Sequence, residues 1–421
     1  MKARSYQIKS EELIRAEFKR GIKKVLLWLP TGAGKTFVFC DLVKKSVARG
    51  KACVIVVRGR KLVDQASKRL QREGVAHGVL MAGHWNYKPH CKVQVCSIDT
   101  LIARSLTPSA DLIVIDEAHL ATSPGYVEWL AKYNSYVLSV TATPWPYKSL
   151  RHAADTIIHP ITFNELIKQG FLVPFKIYAP STPNLKGIKI VNNDYNNAQL
   201  EVEMSRTAIT GKVIDHWIKH ANNRATFLFA VNIKHSKLLT QNFIEAGIAA
   251  EHCEASTPER ERDQILNRLE SGATKVVCNV GILCTGVDVP RVSCISMCRP
   301  TKSKNLFIQQ AGRGTRLFDG KEHCLLLDHA GNTLEHGFPT DEEDEVDLDG
   351  KPPKKTQRTT KVCEECFCIY EGSKCPECGA KKAPTQKKEI AESNDELVEF
   401  VVPRGAFKNS PFNKKRPKWV R

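Results

Sequence analysis

The chain has 421 residues, 42% hydrophobic and 26% charged, with a formal net charge of +18 at pH 7. That length exceeds one ordinary core and implies two or three domains, and the balance is that of a globular protein, which excludes fibrous and wholly disordered classes. No apolar run reaches the roughly 18 residues that cross a bilayer. Met1 to Arg20 also lacks the apolar stretch and cleavage site of a secretory signal. An intracellular protein without a membrane partner is expected, and the charge favours a polyanion such as DNA or RNA.

In chain order, the first 145 residues alternate strand-length apolar runs with helical spacing. The runs are Val25–Leu29, Ala52–Val57, Lys92–Ile98, Asp111–Asp116 and Tyr136–Thr143, and Lys61–Gln71 reads as a helix. Strands separated by helices imply a parallel sheet covered on both faces. A second such set follows Ala179, with strands at Ala225–Val231, Thr274–Val280, Arg291–Met297 and Glu322–Asp328 and a helix over Lys234–Ala246. The expected organisation is a first lobe at 1–155, a connection at 156–182, a second lobe at 183–335, a charged linker at 336–361, a small knuckle at 362–380 and a basic tail at 381–421. The linker carries seven acids in the nine residues Asp341–Asp349, a composition that buries little and reads as solvated.

The run LPTGAGKT (Leu29–Thr36) follows a strand and opens a helix, the context of a phosphate-binding loop. Thr31, Gly32, Ala33 and Gly34 would curl the backbone so that its N–H groups and the helix dipole face a phosphate. Lys35 would reach the β- and γ-phosphates, and the Thr36 hydroxyl would hold Mg²⁺. DLIVIDEAH places Asp116 and Glu117 at the C-terminal end of a strand, the ligand-binding edge of a parallel sheet. Asp116 would hold the Mg²⁺ shell and Glu117 would deprotonate the attacking water.

These blocks resemble, in order, those of superfamily 2 helicases of the DEAD/DEAH-box kind. Arg4, Tyr6 and Gln7 look like the adenine-reading Q motif. VVRGRKLVDQ (Val56–Gln65), SIDTL (Ser97–Leu101) and TATP (Thr141–Pro144) are similar to motifs Ia, Ib and III, with Thr141 where many members have Ser. FAVNIKHS (Phe229–Ser236), NVGILCTGVDVP (Asn279–Pro290) and QQAGRGTR (Gln309–Arg316) match motifs IV to VI. The layout is most similar to that of RadD-type helicases, with the block Arg299–Arg316, the turn Leu327–Asn332 and cysteine knuckles after the second lobe.

The resemblance implies two tandem RecA-like lobes in an α/β fold and an ATP hydrolase that moves on nucleic acid. It implies that Gln7 reads adenine and that Arg313 and Arg316 reach across the cleft as arginine fingers. It also implies that Gln309 sits near the γ-phosphate or attacking water, and that Gly286 and Asp288 lie by the nucleotide, Asp288 near the ribose. Arg58, Gly59, Ser97, Thr100 and Thr285 are candidates to grip phosphates of the nucleic acid without reading sequence. DNA is the expected partner, with repair or replication proteins beside it. RNA, or a nucleotide-gated clamp without strand separation, is the alternative.

Of fifteen cysteines, ten scattered between Cys40 and Cys324 read as small buried hydrophobes. Cys363, Cys366, Cys375 and Cys378, in two Cys-x2-Cys pairs, have the spacing of a structural Zn²⁺ knuckle, with Cys368 as a spare thiol. The tail from Arg404 is basic with interleaved aromatics. Trp85 and Tyr87 are expected to pack within their loop, and His84 and His90 lack a ligand spacing.

Overall fold

The computed structural model describes residues 3–145, 148–179, 183, 185–191, 194–205, 207–341, 346, 348–349, 361–363, 365–366, 368–370 and 372–380. The basic tail, including Arg404–Arg421, lies outside the described residues. No helix among those described is long and apolar enough to cross a membrane.

The first lobe is built on seven parallel strands: β1 (Lys24–Trp28), β2 (Cys53–Val57), β3 (Gly78–Leu80), β4 (Val93–Ser97), β5 (Leu112–Asp116), β6 (Tyr136–Thr141) and β7 (Thr156–Ile158). Their spatial order is β3-β4-β2-β5-β6-β1-β7. Side chains alternate faces along a strand, and both faces are covered. Val25 and Leu27 pack with Phe39, Val43 and Leu70 from helices Lys35–Val47 and Arg60–Arg72. Leu26, Val54 and Val56 pack with Leu101, Trp129 and Leu130 on the other face. This two-sided burial is why the strands read as continuous apolar runs. Register pairs Trp28 with Thr141 and Asp116 with Val140. The loops after β1, β5 and β6 therefore emerge side by side at one edge.

The second lobe has six parallel strands: β8 (Phe175–Tyr178), β11 (Thr226–Phe229), β12 (Ala250–Cys253), β13 (Val276–Asn279), β14 (Cys294–Met297) and β15 (Cys324–Asp328), in the order β12-β13-β11-β14-β15-β8. A short antiparallel pair, β9 (Ile190–Val191) and β10 (Asp194–Tyr195), precedes β11.

Within the two parallel sheets, four strands lie outside the expected ones. β3, β7 and β8 have three or four residues, and β12 is an edge strand reading Ala-Glu-His-Cys with two half-buried polar residues. Neither length nor pattern announces them, because their partners are supplied by other parts of the chain. Two of them alter the expected connection: β7 pairs with β1 and β8 with β15, so 159–174 alone runs between the sheets.

The charged linker is not wholly solvated. Leu348 is 5% exposed among Leu150, Ala153 and Ala154 of the first lobe, and its carbonyl accepts from Leu150 N at 2.7 Å. Asp349 accepts from Arg151 at 3.1 and 3.4 Å. After leaving the second lobe, the chain therefore touches the first lobe again. One leucine among the acids supplies the apolar anchor that the composition hides.

All ten scattered cysteines are free, and all but Cys91 are buried. Burial pushes the Cys40 and Cys53 thiols up to about 12, so they behave as apolar filler at neutral pH.

Candidate functional site

Gly32 and Gly34 adopt φ of 85° and 80°, the left-handed region open to glycine. Gly34 caps the helix Lys35–Val47. A Cβ on Gly34 would lie 2.8 Å from Gln7 Nε2, and one on Gly32 would lie 2.9 Å from Leu172. The loop is thus free of side chains where it turns, and the helix N-terminus opens into a cavity of about 770 Å³.

That cavity is lined by Arg4, Gln7, Thr31, Gly32, Gly34, Lys35, Thr36, Asp116 and Glu117 from the first lobe, and by Gly286, Asp288, Arg313 and Arg316 from the second. Seven basic side chains and three acidic ones face it, a charge balance that suits a polyphosphate. Ala33 is buried behind the loop, and its carbonyl accepts from Tyr6 Oη at 2.8 Å and from Gln7 Nε2 at 3.2 Å. Gln7 Oε1 accepts from Arg4 N at 2.9 Å, so the amide is held at both ends. Each end keeps one hydrogen-bonding position in reserve.

The carboxylates sit at the end of β5. Glu117 is 9% exposed and has φ 50°, a left-handed backbone that is costly for a residue with a Cβ. Asp116 Oδ1 accepts from Glu117 N at 2.9 Å. Burial, and then repulsion from Glu117, pushes Asp116 up to about 7. Desolvation lowers Lys35, and its attraction to Glu117 and Asp116 opposes this. Glu117 Oε2 and Thr31 Oγ1 are buried without a hydrogen-bond partner among the described residues. Crowded carboxylates and orphaned oxygens facing one cavity fit a bound cation and phosphate, since buried polar atoms are otherwise paired.

His119 ties three segments together. Its Nδ1 lies 2.9 Å from Thr141 Oγ1, and its Nε2 lies 3.3 Å from Gln309 Nε2. Burial lowers His119, which keeps the ring neutral. Thr141 donates to Thr143 O at 3.2 Å, so the ring donates from Nδ1 and accepts from Gln309 at Nε2. The hydroxyl shared by Thr and Ser at position 141 is the atom used. Gln309, expected beside the phosphate or water, is instead held by His119 and does not line the cavity.

From the second lobe, Arg313 Nε and Nη1 donate to Cys284 O and Val287 O at 2.8 and 2.9 Å. Arg316 Nη1 donates to Val287 O at 2.8 Å and Asp288 Oδ1 at 2.7 Å. Burial, then Arg316, lowers Arg313 to about 10, so it stays charged at neutral pH. Asp288 lines the cavity as the partner of Arg316. The lobes also touch through Gln65 Nε2 to Gly286 O at 2.7 Å and Asn305 Nδ2 to Trp145 O at 2.8 Å. Gly312 meets the phosphate loop directly: a Cβ there would lie 2.6 Å from Thr31 Cβ.

Sequence reasoning missed Phe171, which lines the cavity with the Arg4 guanidinium 4.5 Å from its ring centre and Tyr6 edge-on at 5.5 Å. Its signal, an aromatic in the connection, has no spacing to mark it. The candidate nucleic-acid residues lie outside the cavity. Arg58 and Gly59 are exposed after β2, Ser97 and Thr100 are buried at the end of β4, and Thr285 is half-buried. The Thr100 hydroxyl accepts from Ala82 N at 3.3 Å, which leaves its O–H to donate. Trp85 and Tyr87, expected to pack within their loop, are 80% and 56% exposed. His84 pairs with Asp64 at 3.0 Å.

In the knuckle, Cys363 and Cys378 sulfurs lie 3.5 Å apart, Cys366 and Cys375 sulfurs lie 3.6 Å apart, and all four are within 4.8 Å of one another. A Zn–S distance of ~2.3 Å in a tetrahedron sets sulfurs roughly 3.8 Å apart, so the four fit Zn²⁺. Burial would raise the Cys375 thiol, but hydrogen bonds from the amides of Cys378 and Glu377 and from the Cys366 and Cys378 side chains together hold it below the ordinary thiol value. Cys368 stays outside the set and bridges to Tyr178 at the edge of the second sheet. Ile369 enters the second-lobe core, and Lys176 pairs with Glu377 at 2.6 Å. The knuckle is thus docked on its own lobe. Atomic absorption is expected to find one zinc per chain, and Cys375→Ser should lose most of it with a lower Tm, about 2–4 °C for each kcal/mol of stability lost. A chain that keeps its Tm and holds no zinc would exclude the site.

Residues 1–145 match the family described as "Type III restriction enzyme, res subunit", and residues 209–317 match "Helicase conserved C-terminal domain". A 51.5 kDa protein of a Lactococcus phage is 30% identical over 85% of this chain and 75% of its own length. A Saccharomyces cerevisiae protein described as an ATP-dependent helicase, IRC3, is 28% identical over 78% of this chain, which spans 51% of that relative. Among solved structures, an ATP-dependent Type ISP restriction-modification enzyme, LlaBIII, bound to DNA superposes with a TM-score of 0.59 at 15% identity, over 78% of this chain and 28% of that one. With both lobes of the fold present and the nucleotide motifs of the two lobes on one cleft, the chain belongs to the superfamily 2 helicases, which hydrolyse ATP.

Proposed function

We propose that the chain is an ATP-dependent DNA helicase or translocase acting in repair, recombination or replication. The observation that carries this reading is that Arg313 and Arg316 of one lobe line the same cavity as Lys35, Asp116 and Glu117 of the other. ATP bound there touches both lobes, so its hydrolysis changes what holds them together. Bound Mg²⁺ would neutralise the developing phosphate charge, with Thr36 and Asp116 as the residues that hold it. Lys35 binds the phosphates, Glu117 receives the proton of the attacking water, and His119 with Gln309 holds the carboxylate loop in place. Arg4 and Phe171 offer an adenine a stacking surface, with Gln7 at its edge.

DNA is favoured by the charge of +18 and by the DNA-bound enzyme whose fold the chain shares. Exposed Arg58 and Gly59, with Ser97 and Thr285 nearby, form the proposed phosphate track. ATP hydrolysis is expected to rise several-fold with single-stranded or branched DNA and less with RNA. The stimulation should fall steeply as salt is added, because neutralised phosphates release counterions. Hydrolysis indifferent to every nucleic acid would overturn the motor reading, and a stronger response to RNA would move the substrate.

A further inference from the structure

We infer that Trp85 is a stacking platform for an unpaired base of a single-stranded nucleic acid entering along the first lobe. This rests on the motor reading above and gives it a contact that reads strandedness.

The loop after β3 is built to push one side chain out. His84 and Asn86 are buried while Trp85 between them is 80% exposed. His84 is held by Asp64 at 3.0 Å, and the ring of Trp85 lies over it at 5.6 Å and 25°. Asn86 N donates to His84 Nδ1 at 3.1 Å, Asn86 Nδ2 donates to His77 O at 3.3 Å, and Asn86 O accepts from Val79 N at 2.9 Å. The backbone on both sides is therefore fixed, and little entropy remains to be lost when a base lands on the indole. A large aromatic left in water on a rigid stem contributes nothing to the core of this chain.

The position matches the occupant. Ala82, three residues before Trp85, accepts from exposed Arg60 Nη2 at 3.2 Å and donates to Thr100 Oγ1 at 3.3 Å. The loop is thereby tied to both segments expected to follow a phosphate backbone. Exposed Arg58, Arg60 and Lys88 flank it with positive charge, and Tyr87 adds a second ring, 56% exposed. Cations beside an aromatic are the chemistry of single-strand binding, and a base has a face to offer only when it is unpaired.

Binding of labelled oligo(dT), oligo(U) and a blunt duplex to the full chain tests this by fluorescence anisotropy. Trp85→Ala is expected to weaken single-strand binding roughly five- to a hundred-fold, with duplex binding changed less than about two-fold, and Trp85→Phe should restore most of the loss. Unchanged Tm in both variants is expected from the exposure of the side chain. A loss confined to oligo(dT) or to oligo(U) supports the platform and names the kind of strand it takes. Equal weakening on duplex and single strand, or single-strand binding by Trp85→Ala equal to the unaltered chain, overturns the platform and leaves the motor reading standing. Failure of the unaltered chain to bind any of the three overturns both.

Discussion

Lys35→Ala is expected to lower ATP turnover by roughly 10³-fold or more, on the scale of losing a preorganised charge at a transition state. Lys35 opens the helix behind the phosphate loop and is drawn by both Glu117 and Asp116. Desolvation disfavours its charged form, so it is held there against the preference of the fold for neutral groups. Alanine removes that desolvation penalty but also the charge that Lys35 sets against both carboxylates. The folded chain should therefore survive while triphosphate binding and turnover collapse. Circular dichroism and a phosphate-release assay separate the two effects. A folded variant that kept a tenth of the turnover would remove Lys35 from the site.

Arg316→Ala is expected to cut turnover by roughly 10³–10⁵-fold, the range seen when an arginine finger is lost. Arg316 is the cleaner of the two arginines to test. Its ion pair with Asp288, whose side chain is 70% exposed, contributes only about 0–1 kcal/mol to stability. Arg313 is 8% exposed and donates to the buried Cys284 carbonyl, so its removal costs about 1–3 kcal/mol through that unpaired group. ATP affinity in Arg316→Ala should change far less than kcat, because the guanidinium meets charge that develops during reaction. Arg316→Lys should rescue poorly, since an ammonium lacks the planar fork. Wild-type kcat in a folded Arg316→Ala chain would remove Arg316 from hydrolysis. A double variant with Lys35→Ala should be little worse than either single change, as groups that act as a unit are non-additive.

The parts legible in the sequence are those whose chemistry is local. A strand, two glycines, Lys35 and a helix start occupy about a dozen consecutive residues, and backbone geometry alone aims them at a phosphate. Asp116 and Glu117 follow their strand in the same way. The cysteine quartet was readable because its two pairs lie close in the chain, although its docking on the edge of the second sheet was not. The expected role of Gln309 was shifted by a partner distant in sequence, since His119 holds its amide. Trp85 was misjudged because burial follows from what surrounds a residue, and one loop sequence fits either outcome.

By itself the sequence determined the class of the molecule: two parallel α/β lobes, a phosphate loop, an acidic pair and a four-thiolate knuckle, each specified by residues near one another in the chain. Only the tertiary structure decided what meets across the cleft. Arg316 comes within reach of the loop at Gly32, Gly312 leaves room for Thr31, Phe171 closes on Arg4, and Leu348 returns to the first lobe. These contacts join segments far apart in the chain, and their geometry depends on how two separately folded cores pack, which no local pattern of residues encodes.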